Sequence, residues 1–172
     1  LCYIGNVLHT RPDGFGGSRS PLQVGAELFG HDGVASDVEI LMLMLQTLKL
    51  AGLEKIHFDL GHVGIYRGLA RMAGLSKQDE MVLFNALQRK ALPEIEKLID
   101  EFAIDAGVAR MLLALPELSG GVAVLERARE ALAEASQDVQ DAIDNLAQVA
   151  QAITERVEGV SIHIDLSELR AY

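Results

Sequence analysis

The spacing of apolar residues changes twice along this chain, from strand-like to helical and back to strand-like. This change constrains the fold more than any other feature of the sequence. Residues 54–61 and 160–166 alternate apolar and polar side chains, which is typical of strands with one buried face. The stretch between them carries its apolar residues at helical spacing, without a strand-like segment. This order predicts an α+β fold with helices inserted into a sheet. We expect helices at residues 65–73, 77–89, 92–103, 106–114, 122–135 and 137–157.

The first part of the chain predicts a β-hairpin followed by a helix. Residues 1–9 and 22–30 are the two strands, and the loop between them is rich in Pro, Gly, Asp and Ser. Ser36 and Glu39 form a capping box that predicts a helix over 36–51. We therefore assign 1–64 to an antiparallel sheet platform, 65–158 to a helical insertion, and 159–172 to a return strand and the segment after it.

Composition excludes several classes of function. The formal net charge of −10 argues against a nucleic-acid partner, because binding phosphates needs clustered Lys and Arg. No apolar run approaches the roughly 20 residues of a membrane span. The single cysteine, Cys2, excludes an internal disulfide and fits a reducing cytoplasm. The histidines show no metal-ligand spacing, so we expect neither a metal nor another cofactor.

The ends of the chain have the pattern of a piece of a longer protein. The sequence opens on Leu1 directly inside a strand-like segment, and it ends directly after another such segment. We therefore expect further segments of the same fold on both sides.

Gln23 and Glu27 are the candidate ligand-binding residues. They lie four residues apart on a predicted strand, and side chains at even spacing share one face of a sheet. Gly25 lies between them and leaves space above the sheet, which is typical of a place where a ligand approaches. The opposite face, with Leu22 and Val24, is apolar and would anchor the strand. A carboxamide and a carboxylate together suit a small zwitterion, although two solvent-facing polar residues would show the same pattern.

At these residues the sequence resembles a known family. The segments "YIGNVLHTRP" and "SRSPLQVGAELFG" resemble the second signature motif of class II aminoacyl-tRNA synthetases, in its histidyl-tRNA synthetase version. The segments "LCYIGNVLHTRP", "PLQVGAELFGHDGVASDVEI" and "DLSELRAY" more closely resemble the family of ATP phosphoribosyltransferase regulatory subunits. The resemblance covers residues 1–75 and 161–172, and it is weak through the helical block. It implies a class II synthetase fold and a non-catalytic role in bacterial histidine biosynthesis.

The departures from the synthetase motif decide between the two readings. A synthetase carries an Arg on the first strand that binds the ATP α-phosphate, whereas His9 or its neighbour stands there in this chain. A mostly neutral imidazole does not replace a permanently charged, bidentate guanidinium. Arg11 and Arg19 lie on the adjoining loop and are the residues that would compensate. An active histidyl-tRNA synthetase is therefore the alternative hypothesis, and a synthetase-like binding module with another partner is a third.

The resemblance also implies site residues and partners. Gln23 and Glu27 match the two synthetase positions that hold histidine, and Arg170 matches an Arg of the histidine-specific segment. The resemblance implies assembly with the short-form catalytic subunit of ATP phosphoribosyltransferase, feedback regulation by histidine, and a self-dimer of the full-length protein.

Overall fold

The computed structural model describes residues 1–10, 18–157 and 159–167. The chain divides into two compact units, Leu1–Gly52 and Leu53–Tyr172. The assignment of residues 1–64, 65–158 and 159–172 to three parts of a larger fold stays a prediction.

The first unit begins with the predicted hairpin. Strands β1 (Cys2–Asn6) and β2 (Leu22–Ala26) pair antiparallel, with Ile4 opposite Val24. The backbone pairing continues beyond both strands, because the His9 N–H donates to the Arg19 carbonyl at 2.9 Å. At the other end, the Glu27 N–H donates to the Leu1 carbonyl at 2.8 Å. Strand β2 itself ends at Ala26 and is shorter than the predicted 22–30.

Helix α1 (Val34–Leu50) begins earlier than the capping box predicts. Its N-cap is Gly33, whose φ of 124° is accessible to glycine and strained for other residues. The Gly33 carbonyl accepts from the backbone N–H of Ser36 at 3.0 Å. The Ser36 hydroxyl instead forms a hydrogen bond of 2.5 Å with His31 Nδ1. The prediction of Ser36 as the N-cap was wrong, because Gly33, three residues earlier in the chain, supplies the helix start.

The second unit contains a small mixed sheet in the order β3-β5-β4. Strand β3 (His57–Leu60) runs parallel to β5 (Ser161–Asp165), with Phe58 opposite Ile162. Strand β4 (Ser119–Gly120) runs antiparallel to β5, and the sequence pattern does not predict it. The predicted alternation is confirmed, since Phe58 and Leu60 are buried while His57 is exposed.

Six helices make up the rest of the described part of this unit: α2 (Val63–Met72), α3 (Lys77–Gln88), α4 (Leu92–Glu101), α5 (Ala106–Ala114), α6 (Val124–Ala131) and α7 (Gln137–Arg156). A short 3-10 turn, Leu115–Glu117, follows α5. The predicted helices are confirmed, with α6 shorter at both ends than the predicted 122–135. Their apolar stripes form the core of the unit, and α7 alone buries seven residues: Val139, Ala142, Ile143, Leu146, Val149, Ala150 and Ile153.

Helices α2 and α7 approach each other closely at Gly68. A Cβ atom on Gly68 would lie 2.3 Å from Val139 Cγ2, so a glycine is required for the observed packing. Beside this contact, Arg71 of α2 forms an ion pair with Asp138 near the start of α7. The Ser136 hydroxyl also donates to Asp138, and these hydrogen bonds lower the pKa of that carboxyl.

Three consecutive helices end in the same way, on a residue in the left-handed region. Gly74 follows α2 with φ 65°, Lys90 follows α3 with φ 50°, and Ala103 follows α4 with φ 51°. Each end shows paired backbone bonds of the Schellman type, such as Ala103 N–H to Asp100 O at 3.1 Å and Ile104 N–H to Ile99 O at 3.1 Å. At two of the three ends the residue is not glycine, and Lys90 and Ala103 are therefore sterically strained in this conformation.

None of the described helices is long and apolar enough to cross a membrane.

Candidate functional site

The structure places Gln23 and Glu27 on one face of the hairpin, as predicted. Gln23 lies within β2 opposite Gly5, and the backbone pairing of Leu1 with Glu27 extends the alternation to Glu27. Both side chains are exposed. Two polar groups with acceptor atoms therefore share an open surface on this face.

The space above Gly25 is occupied by Tyr3. Tyr3 lies directly opposite Gly25 in the hairpin register. A Cβ atom on Gly25 would be 2.3 Å from Tyr3 Cζ and 2.4 Å from its hydroxyl oxygen. The expectation that Gly25 leaves an open space for a ligand was wrong, because the aromatic ring of the neighbouring strand fills that space. An aromatic ring over a cross-strand glycine covers backbone that would otherwise be bare.

The Tyr3 hydroxyl also binds Gln23. Gln23 Nε2 donates a hydrogen bond of 2.8 Å to this hydroxyl. The three residues form one arrangement, which we call the Tyr3 cluster: Tyr3, Gln23 and Gly25. Sequence reasoning missed Tyr3, although an aromatic residue opposite a strand glycine is a readable signal once the register is known.

The opposite face of the hairpin is exposed in this chain. The exposed fractions are 73% for Ile4, 68% for Leu22 and 65% for Val24. The apolar face was expected to anchor the strand, and nothing among the described residues buries it. The register, and not burial, holds Gln23 and Glu27 on their shared face.

The remaining predicted residues are His9, Arg11 and Arg170, and the structure describes only the first of them. The backbone N–H of His9 donates to the Arg19 carbonyl, and the match of His9 or its neighbour to the phosphate-binding Arg of a synthetase stays a prediction. Arg11 and Arg170 lie outside the described residues. The association of Arg170 with Gln23 and Glu27 therefore stays a prediction.

A second polar cluster links strand β5 to the end of α3. Asp165 accepts hydrogen bonds from Lys90 Nζ at 2.7 Å, from the Ser167 hydroxyl at 2.7 Å and from the Ser167 N–H at 2.9 Å. Partial burial opposes the charge of Asp165, but these three donors outweigh it and lower the pKa of the carboxyl. These contacts tie strand β5 to the end of α3.

The described part of the chain contains no cluster of metal-ligating side chains. Within residues 1–10, 18–157 and 159–167, no group of three or more His, Cys, Asp or Glu side chains could hold a metal ion.

Comparison with curated proteins identifies close relatives along the whole chain. The ATP phosphoribosyltransferase regulatory subunit of Alkalilimnicola ehrlichii is 55% identical over 172 residues, which are 100% of this chain and 43% of the relative. The protein of the same name from Thioalkalivibrio sulfidiphilus is also 55% identical over 172 residues and is covered to 44%. The resemblance to these regulatory subunits is thereby confirmed. The chain spans less than half the length of these curated relatives.

Solved structures share the fold. An ATP phosphoribosyltransferase regulatory subunit/histidyl-tRNA synthetase from Bacillus halodurans matches 97% of this chain and 43% of its own, with a TM-score of 0.80 and 24% identity. An ATP phosphoribosyl transferase (HisG:HisZ) complex from Thermotoga maritima matches 99% of this chain and 57% of its own, with a TM-score of 0.69 and 20% identity. These neighbours confirm the predicted class II synthetase-like fold. The family model described as histidyl-tRNA synthetase matches residues 1–172, and the chain therefore belongs to the histidyl-tRNA synthetase family.

Proposed function

We propose that the full-length protein is a non-catalytic regulatory subunit of ATP phosphoribosyltransferase in the cytoplasm. It would act in the first step of histidine biosynthesis, together with a short-form catalytic subunit. The observation that carries this proposal is the 55% identity with curated regulatory subunits along all 172 residues. Because this chain covers 43% of such a relative, the function of the whole protein is inferred from the matched part.

The absence of catalysis follows from the chemistry at the end of β1. Adenylate formation depends on cations that stabilise the charge of the phosphates. His9 or its neighbour would stand where the synthetase family has a guanidinium, and an imidazole does not replace a permanently charged, bidentate guanidinium. The formal net charge of −10 is also unfavourable for tRNA. This chain would therefore keep an amino-acid site without the means to activate the amino acid.

The ligand of that site would be histidine. Gln23 and Glu27 present a carboxamide and a carboxylate on one open face, and Glu27 would accept from an ammonium or an imidazole N–H. Arg170 would bind the carboxylate of the ligand. Binding there would inhibit the catalytic subunit through a coupling free energy, which is typically about 1–3 kcal/mol between two sites. We expect the full-length protein to form a self-dimer within the hetero-oligomer.

The test is reconstitution of the full-length protein with a short-form catalytic subunit. We expect the catalytic subunit to gain activity on addition of this protein, and histidine to inhibit the complex. Glu27→Ala should raise the histidine concentration for half inhibition about tenfold or more while activation persists. Glu39→Ala, an exposed glutamate on α1, is the matched control and should leave inhibition unchanged. Unchanged inhibition in Glu27→Ala would contradict the pocket, and no activation by wild type would contradict the regulatory role.

The alternative function is an active histidyl-tRNA synthetase, the activity that the description of the matching family names. Histidine-dependent exchange of pyrophosphate into ATP by the full-length protein would establish it. A signal in wild type that disappears in Glu27→Ala would overturn the regulatory proposal. Co-purification of a phosphoribosyltransferase chain separates the proposal from a synthetase-like module that serves another partner.

A further inference from the structure

We propose that Lys90 is a positioning residue, which from the end of helix α3 holds the turn at which strand β5 ends. Asp165 and Ser167 form this turn, and the chain beyond it carries Arg170, the predicted ligand of the histidine carboxylate. The inference rests on the proposed function and deepens it, because it gives a contact of helix α3 a part in the regulation by histidine. We call this contact, between Lys90, Asp165 and Ser167, the β5 latch.

The turn itself is built on the Asp165 carboxylate. Its Oδ1 atom accepts from the Ser167 N–H at 2.9 Å and from the Ser167 hydroxyl at 2.7 Å. A carboxylate that accepts from the N–H two residues later forms an Asx turn, which redirects the chain. Ser167 is buried, and the neighbouring Leu166 N–H donates to the Leu118 carbonyl at 3.1 Å. Contacts within the second unit therefore fix the direction of the backbone at Ser167.

Lys90 binds the other oxygen of the same carboxylate. Its Nζ atom donates to Oδ2 of Asp165 at 2.7 Å, so each carboxylate oxygen has its own donors. Only 15% of the Asp165 side chain is exposed, and Lys90 is its only ion-pair partner among the described residues. A partly buried carboxylate that loses its cation has to regain water or turn toward other donors. Because rotation of the carboxylate moves both oxygens, loss of the ammonium group would disturb the two bonds to Ser167.

The backbone of Lys90 is in a conformation that a lysine seldom adopts. Its φ of 50° lies in the left-handed region, where the corresponding end of α2 has Gly74. Strain of this kind does not by itself identify a functional residue, since Ala103 at the end of α4 shows the same conformation. Lys90 differs because its side chain reaches a partly buried carboxylate 75 positions away in the sequence. Glycine at this position would relieve the strain and abolish the β5 latch, so a glycine variant separates the contact from the stability of the helix end.

The experiment uses the full-length protein reconstituted with a short-form catalytic subunit, and it measures activation and the histidine concentration for half inhibition. Lys90→Met retains the strained backbone and a long side chain but lacks the ammonium group, whereas Lys90→Gly lacks the strain as well. We expect half inhibition to require about three to ten times more histidine in both variants, the size of one weakened hydrogen bond to a charged group, while activation persists. Lys90→Arg retains the charge and should stay within about twofold of the wild type.

Thermal unfolding and hydrogen exchange separate the role of Lys90 from a loss of structure. Lys90→Gly should unfold at a higher temperature than Lys90→Met, although both variants need the same increase in histidine. Exchange of the Ser167 amide reports on the turn directly, and we expect it to be faster in these two variants. Arg89→Met is the matched control, because Arg89 is the adjacent cation and its ion pair with Glu94 joins α3 to α4. It should change neither half inhibition nor the exchange at Ser167.

The outcomes distinguish a failure of the β5 latch from a failure of the proposed function. Unchanged half inhibition in Lys90→Met, or an equal increase in Lys90→Arg or Arg89→Met, overturns the β5 latch while the proposed function stands. An increase without faster exchange at Ser167 does the same, and so does an increase in Lys90→Met that Lys90→Gly does not share. No activation by the wild-type protein, or no inhibition of the wild-type complex by histidine, overturns the proposed function and with it the regulatory part of Lys90.

Discussion

The ring of Tyr3 lies over Gly25 on the paired strand, so closely that a Cβ atom on Gly25 would be 2.3 Å from the ring carbon Cζ. The same ring carries the hydroxyl that accepts from Gln23 Nε2. One glycine thus determines where an aromatic ring lies, and the ring carries a hydrogen-bond partner of a polar side chain. This relationship joins the local structure of the hairpin to the proposed ligand site.

Gly25→Ala should displace the Tyr3 ring and break its hydrogen bond to Gln23. The ring can move because the Tyr3 side chain is partly exposed. We expect the variant to lose the contribution of one cross-strand pair, which lowers the free energy of unfolding by about 0.2–1 kcal/mol. The measurement is the NMR shift of the Gln23 side-chain amide protons, together with urea unfolding. Gly5→Ala is the matched control, because a Cβ atom at Gly5 meets nothing within 4 Å. Identical amide shifts in the two variants would contradict the assignment.

Gly68→Ala should destabilise the second unit by overpacking. The added methyl would lie 2.3 Å from Val139 Cγ2, so helices α2 and α7 must separate, and we expect a loss of about 1–3 kcal/mol in urea unfolding. Gly121→Ala, with open space around its Cβ position, should be close to neutral. In the double variant Gly68→Ala/Val139→Ala the clash is absent. The decrease in its free energy of unfolding should therefore be smaller than the sum of the decreases in the two single variants. An additive double variant would mean that the two residues do not determine the helix spacing.

Tyr66→Phe should destabilise the protein at neutral pH and less so at high pH. The buried hydroxyl donates to the Glu80 carbonyl, and removing it should cost about 1 kcal/mol. Burial, assisted by the charge of Glu80, raises the pKa of Tyr66 above its usual value near 10. The unfolded chain therefore releases this proton at a lower pH than the folded chain, and wild-type stability falls as pH rises above about 10. Urea unfolding of both proteins between pH 7 and 11 should show that the difference in their free energies of unfolding becomes smaller as the pH rises. A constant difference would contradict the burial of the hydroxyl.

Reciprocal exchanges at two helix ends should change stability in opposite directions. Ala103→Gly removes the steric cost of a φ of 51° and should stabilise the protein by about 0.5–1 kcal/mol, despite the greater freedom of glycine in the unfolded chain. Gly74→Ala creates that cost at a φ of 65°, where no neighbour lies within 4 Å, and should destabilise by a similar amount. Thermal unfolding measures both. A loss of stability in Ala103→Gly would mean that its methyl contact outweighs the backbone strain.

The sequence predicted the elements whose signals are local. Helix α5 has the predicted bounds of 106–114, because its apolar spacing, its N-cap Asp105 and the following Pro116 all lie within one stretch of chain. The face shared by Gln23 and Glu27 was predictable for the same reason, since alternation needs no knowledge of the partner strand. The N-cap of α1 was predicted three residues late, because Gly33 and Ser36 are both acceptable N-caps and the choice depends on the surrounding loop.

Other features depended on residues that are distant in the sequence. The pairing of β4 with β5 joins Gly120 to Ile164, and a two-residue strand has no period of its own to reveal it. The Lys90–Asp165 ion pair likewise requires β5 to lie beside the end of α3. These contacts exist only after the helices have packed, so no local pattern could indicate them.

The sequence by itself determined the class of fold, the helices, the strands other than β4, and the side of β2 that carries Gln23 and Glu27, because periodicity along the chain decides each of these. Only the tertiary structure decided what lies between those two side chains. The hairpin register brings Tyr3 opposite Gly25, and a side chain from the neighbouring strand then fills a space that, from β2 alone, had been expected to remain open.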